Sequence, residues 1–320
     1  MKDIRLFVFL CLGLGLVFSP AQRIWAKAPT TAKIAFSSNR DGNWDIHVMD
    51  PDGNGQVRLT QHQANDYSPV WSPNGEQILF VSDRGGDDDL YVMDADGRDV
   101  RRVFRKSAHR TEPTWSPDGE RIAFHAQEPR WSIQTAATNG TDVVKVVQAG
   151  SAGGNPSWSP DGKEIAFVDD VNDIRRIYIV KLSSGRVRTF LSDEAPWMYT
   201  PTWSPTGNRL AFIWYRWGIG NGNAFFVADR DENGLKQIGK SAQVSLGPAA
   251  WSPEEDRLIG TELADNGNRQ IVIVNIRTGT RKQLTRQGSN ITAAWFNPNN
   301  LPVAPQPHLL TTIWGKLKDK

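Results

Sequence analysis

The tripeptide Trp-Ser-Pro recurs at Trp71, Trp115, Trp158, Trp203 and Trp251, and a degenerate sixth copy stands at Trp295-Phe296-Asn297-Pro298. Successive tryptophans lie 44, 43, 45, 48 and 44 residues apart. A period of about 40–45 residues is that of one four-stranded propeller blade, a unit that buries its apolar face only against neighbouring copies. Within each period a short segment ends at the Trp, usually with Pro two residues before it (Pro69, Pro113, Pro156, Pro201). A Ser-Pro-x-Gly turn follows, in which Pro presets φ and Gly relieves strain. Next come the triplets Ile78-Leu79-Phe80, Ile122-Ala123-Phe124, Ile165-Ala166-Phe167 and Leu210-Ala211-Phe212, then an alternating strand such as Leu90-Tyr91-Val92-Met93. An Asp/Gly turn leads to a fourth strand. The expected fold is all-β: a six-bladed β-propeller of four-stranded blades over 33–298. The repeat opens on a second strand, Ile34-Ala35-Phe36, and ends on a first strand, Thr292 to Trp295. The C-terminal first strand is therefore expected to join the N-terminal strands and close the ring, hiding the sheet edges. On this reading Trp71, Trp115, Trp158, Trp203, Trp251 and Trp295 are structural blade residues.

Pro-x-Trp-Ser-Pro-Asp-Gly-x-x-Ile-Ala-Phe, followed by Asp-Leu-Tyr-Val-Met-Asp-x-Asp-Gly, resembles the repeats of the TolB-like six-bladed propellers, a WD40-like (PD40) family. The resemblance covers residues 33 to 298 and is specific for fold; repeat residues build blades rather than sites. TolB itself carries an α/β domain ahead of its propeller, whereas here the repeat follows the leader almost directly. The resemblance implies a protein-binding scaffold of the periplasm or cell envelope.

Flanking segments refine this. Lys2 and Arg5 precede an apolar run from Leu6 to Phe18, the layout of a signal peptide. The leader is expected to be 1–21, with cleavage after Ala21 or as late as Ala28; an uncleaved anchor is the alternative. Cys11, the single cysteine, falls within it, so the mature chain has neither a disulfide framework nor a thiolate site. The mature chain is expected to be a periplasmic or secreted monomer without a membrane span. Residues 299–320 read as a Pro-rich linker and tail.

Charge is nearly balanced, 37 Lys and Arg against 35 Asp and Glu, which argues against a nucleic-acid partner. No cofactor and no metal are expected. Asp50-Pro51-Asp52-Gly53 and Asp229-Arg230-Asp231 half-match a calcium loop, but Gln61 and Lys240 stand where its bidentate Glu belongs; the tight-turn reading explains both. The five histidines show no zinc spacing, and no Gly-x-Ser-x-Gly elbow exists. No catalytic residue is assigned.

Up-and-down strands place the second-to-third loops and the blade-to-blade connections on one face, and these segments carry the length variation. Variable loops on a rigid scaffold are where function concentrates. Trp, Tyr and Arg are enriched at binding hot spots. The expected partner-binding set is Trp197, Tyr199, Trp214, Tyr215, Trp217, Arg84, His109, Arg110 and Arg130, with Trp214, Tyr215 and Trp217 foremost. For Trp131, packing and contact are equally good readings. The rival function is a glycan-binding or glycan-cleaving propeller, which needs aromatic platforms and two carboxylates about 5–10 Å apart at the channel; Asp83, Asp87, Asp88, Asp89, Glu112, Asp169 and Asp170 are the candidates, and solvated loop charges are the competing reading of them. A purely structural ring is the third reading.

Overall fold

A computed structural model describes residues 27–298 apart from 152, 172–173, 196, 216–222 and 243–248. The leader, the tail and Trp217 lie outside the described residues. The chain forms six sheets of four antiparallel strands each. Blade I combines Asn290–Phe296 as its inner strand with Lys33–Ser38, Asp45–Met49 and Val57–Arg58. Ile34 pairs with Trp295 and Ser38 with Asn290, so the ring closes as the sequence predicts. The inner strands of blades II to VI are Asp66–Trp71, Arg110–Trp115, Gly154–Trp158, Met198–Trp203 and Ala250–Trp251. Among the described residues no helix is long and apolar enough to cross a membrane.

The core is divided into six apolar layers, one between each pair of neighbouring blades. Period-two strands dictate this: Ala211 and Ile213 face blade VI, while Leu210, Phe212 and Trp214 face blade IV. The repeat tryptophans seat at these seams. Trp115 Nε1 donates to the Val70 carbonyl at 3.3 Å, and Trp251 Nε1 to that of Thr202 at 3.0 Å, each reaching the preceding blade. Trp71 packs its ring 5.4 Å from Phe296 across the closing seam.

The two ends of the ring differ as expected. Ser-Pro turns meet third-to-fourth turns at one end, where the Ala95 N–H donates to Glu76 and Leu182 to Lys163. Loops and blade connections meet at the other, where Arg110 donates to the Asp88 carbonyl and Trp197 to that of Arg175. Both calcium-like segments are tight turns closed on themselves, with Asp52 Oδ1 accepting from Asn54 N–H and Asp231 Oδ1 from Asn233 N–H.

Candidate functional site

Five of the six inner strands carry a kink within the described residues. Ser68, Glu112, Asn155, Thr200 and Thr292 hold φ between 47° and 54°, and the register slips around each of them. Left-handed non-glycine residues in a strand mark bulges, which re-aim side chains at a cost of order 1–3 kcal/mol each. Here they ring a central channel of about 350 Å³, walled by Ser68-Pro69-Val70, Glu112-Pro113-Thr114, Asn155-Pro156-Ser157 and their counterparts. The wall is neutral and small-sided apart from Glu112, the one ionisable side chain among its described residues. The second carboxylate that glycan cleavage would require is therefore not among them.

Glu112 is held tightly. Its Oε2 accepts the Asn155 backbone N–H at 2.6 Å and its Oε1 the Asn155 amide at 2.9 Å. Those bonds favour the carboxylate, but about two thirds of the side chain is buried and no cation among the described residues neutralises it. Burial wins, pushing the Glu112 carboxyl up to about 7. His125 Nδ1 lies 3.9 Å from Oε2, and burial pushes that imidazole down to about 4. Glu112 and His125 are thus both neutral between those values. Gly154 makes room for the pair: a Cβ there would fall 2.1 Å from Glu112 Oε2 and 2.9 Å from His125 Nδ1.

His125 links the channel to the loop face. Its ring stacks on Trp131 at 4.5 Å, and His109 also meets Trp131, edge-on at 5.1 Å. Trp131 and the exposed Arg130 line a shallow groove between blades III and IV with Asp169 and Asp170. Across the groove Arg175 pairs with Asp170 at 3.3 Å and lies over the Tyr199 ring at 5.4 Å. The central strands of blade IV, Glu164–Val171 and Ile174–Lys181, run eight residues each, the longest among the described strands. Val171 and Ile174, at their loop ends, are 47% and 43% exposed.

The structure sorts the partner-binding expectation residue by residue. Arg130 is exposed, and Trp197, Tyr199, His109 and Tyr215 are half-buried on the loop side. Trp214 does not reach the surface. It is fully buried and packs against Phe212 and Phe226, because the strand Arg209–Tyr215 extends the inward alternation beyond Phe212. Arg110 is also internal, held by Asp89 at 3.1 Å and by Glu128 at 2.8 Å over the Phe104 ring. Arg84 grips the fully buried Asp66 through both carboxylate oxygens at 2.8 Å and covers Phe80 and Tyr91. Both arginines are thus engaged by carboxylates within the propeller. Sequence reasoning weighed Glu112 only as one of several candidate carboxylates and His125 only as the residue after a second strand, without bringing the two together, and it assigned nothing to Asn155, Val171 or Ile174. The residue preceding each inner-strand proline was the available signal, since Glu112 alone is charged in that column.

Comparison with known proteins places this geometry. Residues 15–195 match the family model for the PD40 TolB beta propeller domain. The Tol-Pal system protein TolB of Geobacter sulfurreducens is 43% identical over 51 residues, which are 16% of this chain and 12% of that protein. The crystal structure of TolB from Acinetobacter baumannii aligns with a TM-score of 0.74 at 18% identity, over 82% of this chain and 66% of that one. The structure of a putative TolB from Agrobacterium tumefaciens aligns with a TM-score of 0.64 at 18% identity, over 86% of this chain and all of that one. At such identities the structural likeness speaks for the fold alone.

Proposed function

The chain belongs to the TolB beta propeller domain family, and from that premise we propose that it is an exported envelope propeller that binds a protein partner through its loop face. The docking surface is centred on the groove between blades III and IV and on the blade IV hairpin. The observation carrying this reading is the apolar pair Val171 and Ile174, exposed at the end of that hairpin, next in the chain to Asp170, which lines the groove with Trp131 and Arg130, and to Arg175, which lies over Tyr199. Apolar side chains held up on a rigid strand pair next to an aromatic and an arginine form the kind of centre around which interfaces are built. The apolar leader and the TolB relatives support an envelope location.

The test is capture from envelope extract with three baits starting at residue 22. They are the natural sequence, an Ile174→Asp/Arg130→Glu variant, and a Val57→Asp control on the outer rim. A partner retained by the first and third and lost by the second, with unchanged melting temperatures, is the expected outcome. Equal retention by all three, or none by the natural sequence, removes the protein-binding reading and redirects attention to glycans.

A further inference from the structure

Blades I and II share a motif that ends differently in each. In blade II, Ser82-Asp83-Arg84 follows the second strand; Ser82 accepts from Arg84 Nε at 2.9 Å, and Asp66, paired opposite Ser82, neutralises the guanidinium. In blade I, Ser38-Asn39-Arg40 repeats the arrangement, with Ser38 accepting from Arg40 Nε at 2.8 Å. Opposite Ser38, however, stands Asn290 instead of an aspartate. Arg40 Nη2 donates to Asn290 Oδ1 at 2.9 Å and Nη1 to Gln56 Oε1 at 2.6 Å. All three acceptors are neutral, so two guanidinium N–H groups are left over and the charge has no ion-pair partner among the described residues. The neighbouring Asp41 turns instead to His47 and Arg58.

This guanidinium, which has the Asp41 charge nearby but no ion pair, lines a rim cleft of about 460 Å³ between blades VI and I. Two further cations line the same cleft. Lys282 is exposed and bonded only to the Asp52 carbonyl at 2.9 Å, and Arg286 is exposed without a partner among the described residues. Asp52 is the single carboxylate of the lining; its oxygens accept from Asn54 N–H and Asn54 Nδ2. Three cations against one anion leave a surplus, in a cleft whose other walls are amide side chains and backbone. We propose that the cleft between blades VI and I binds a compact oligoanion, one bearing two or more phosphate, sulfate or carboxylate groups, with Arg40 as the fixed fork and Lys282 and Arg286 as outer contacts. A guanidinium fork suits such groups because it presents paired N–H donors to paired oxygens.

The site is remote from the Trp131 groove, so it stands or falls apart from protein binding. The experiment is calorimetric titration of the chain from residue 22 at about 20 mM salt, where surface charges are weakly screened. Inorganic pyrophosphate and a trigalacturonate serve as separate probes for phosphate and uronate sources. Saturable binding of either probe is expected, and the probe that binds identifies the group. Binding should weaken about tenfold in Lys282→Gln/Arg286→Gln, and comparably in Gln287→Glu, which adds a carboxylate at an exposed position of the cleft while keeping all three cations. Absence of saturable binding for both probes overturns the proposal, as does binding that is equal in the natural sequence and both variants.

Discussion

Replacing Glu112 by Gln should alter stability in a pH-dependent way whose sign follows from the channel. The carboxyl has an ordinary value of 4.5 and sits at about 7 in the fold. A raised folded value means that the native state holds the proton more tightly than the unfolded chain. The group's contribution is therefore fully present below about pH 4.5 and is lost as pH rises through 7. The whole shift corresponds to about 3 kcal/mol. Channel water reaches 33% of the side chain, which screens the charge and brings the expectation to roughly 2 kcal/mol. The unfolding free energy of Glu112→Gln minus that of the natural protein should thus rise by roughly 2 kcal/mol between pH 4 and pH 8. The glutamine amide facing the Asn155 donors adds a constant offset that does not change with pH. His125 titrates at about 4, below the range where Glu112 is charged, so its contribution is common to both proteins and cancels. Urea denaturation in steps across this range, followed by Trp fluorescence, reads the difference directly. A flat difference would mean that channel water solvates Glu112 fully. A falling one would mean that the Asn155 donors outweigh burial.

Gly154→Ala should destabilise by about 2–4 kcal/mol, because its φ of 116° excludes a side chain and the new Cβ meets Glu112 and His125; a urea midpoint within error of the natural protein would show that the pair can separate freely. Trp214→Ala should cost about 3–5 kcal/mol as a core cavity, measured as a fall in melting temperature. A loss under about 1 kcal/mol would restore Trp214 to the surface.

The fold was legible because its signal is periodic. Trp, Pro and Gly recur where a blade needs a seam residue and a tight turn, and the unpaired strands at the two ends of the repeat, Ile34-Ala35-Phe36 and Thr292 to Trp295, announced the closure. The site was less legible because residue type does not report direction. Trp214 looks like a loop aromatic until the alternation Leu210, Phe212, Trp214 is followed one step beyond the apolar triplet. Arg84 looks like a surface cation until its carboxylate partner, 18 residues earlier, is found in the neighbouring strand. Glu112 was read as one of several solvated loop charges for a different reason. It lies within the repeat, where variation reads as noise, and its importance comes from the channel that five other blades complete.

The pairing of Lys33–Ser38 with Asn290–Phe296 joins segments about 250 residues apart. A chain emerging in order, from a ribosome or through an export channel, cannot complete blade I until nearly all the other blades have appeared. Until then the edge at Ile34-Ala35-Phe36 stays open, with three side chains that are wholly buried once the ring closes. Contacts of such long sequence separation form late and slowly, and an unpaired apolar edge invites other strands. The closing strand thus sets the order of assembly: blade I is completed last, and the apolar edge is buried only at that step.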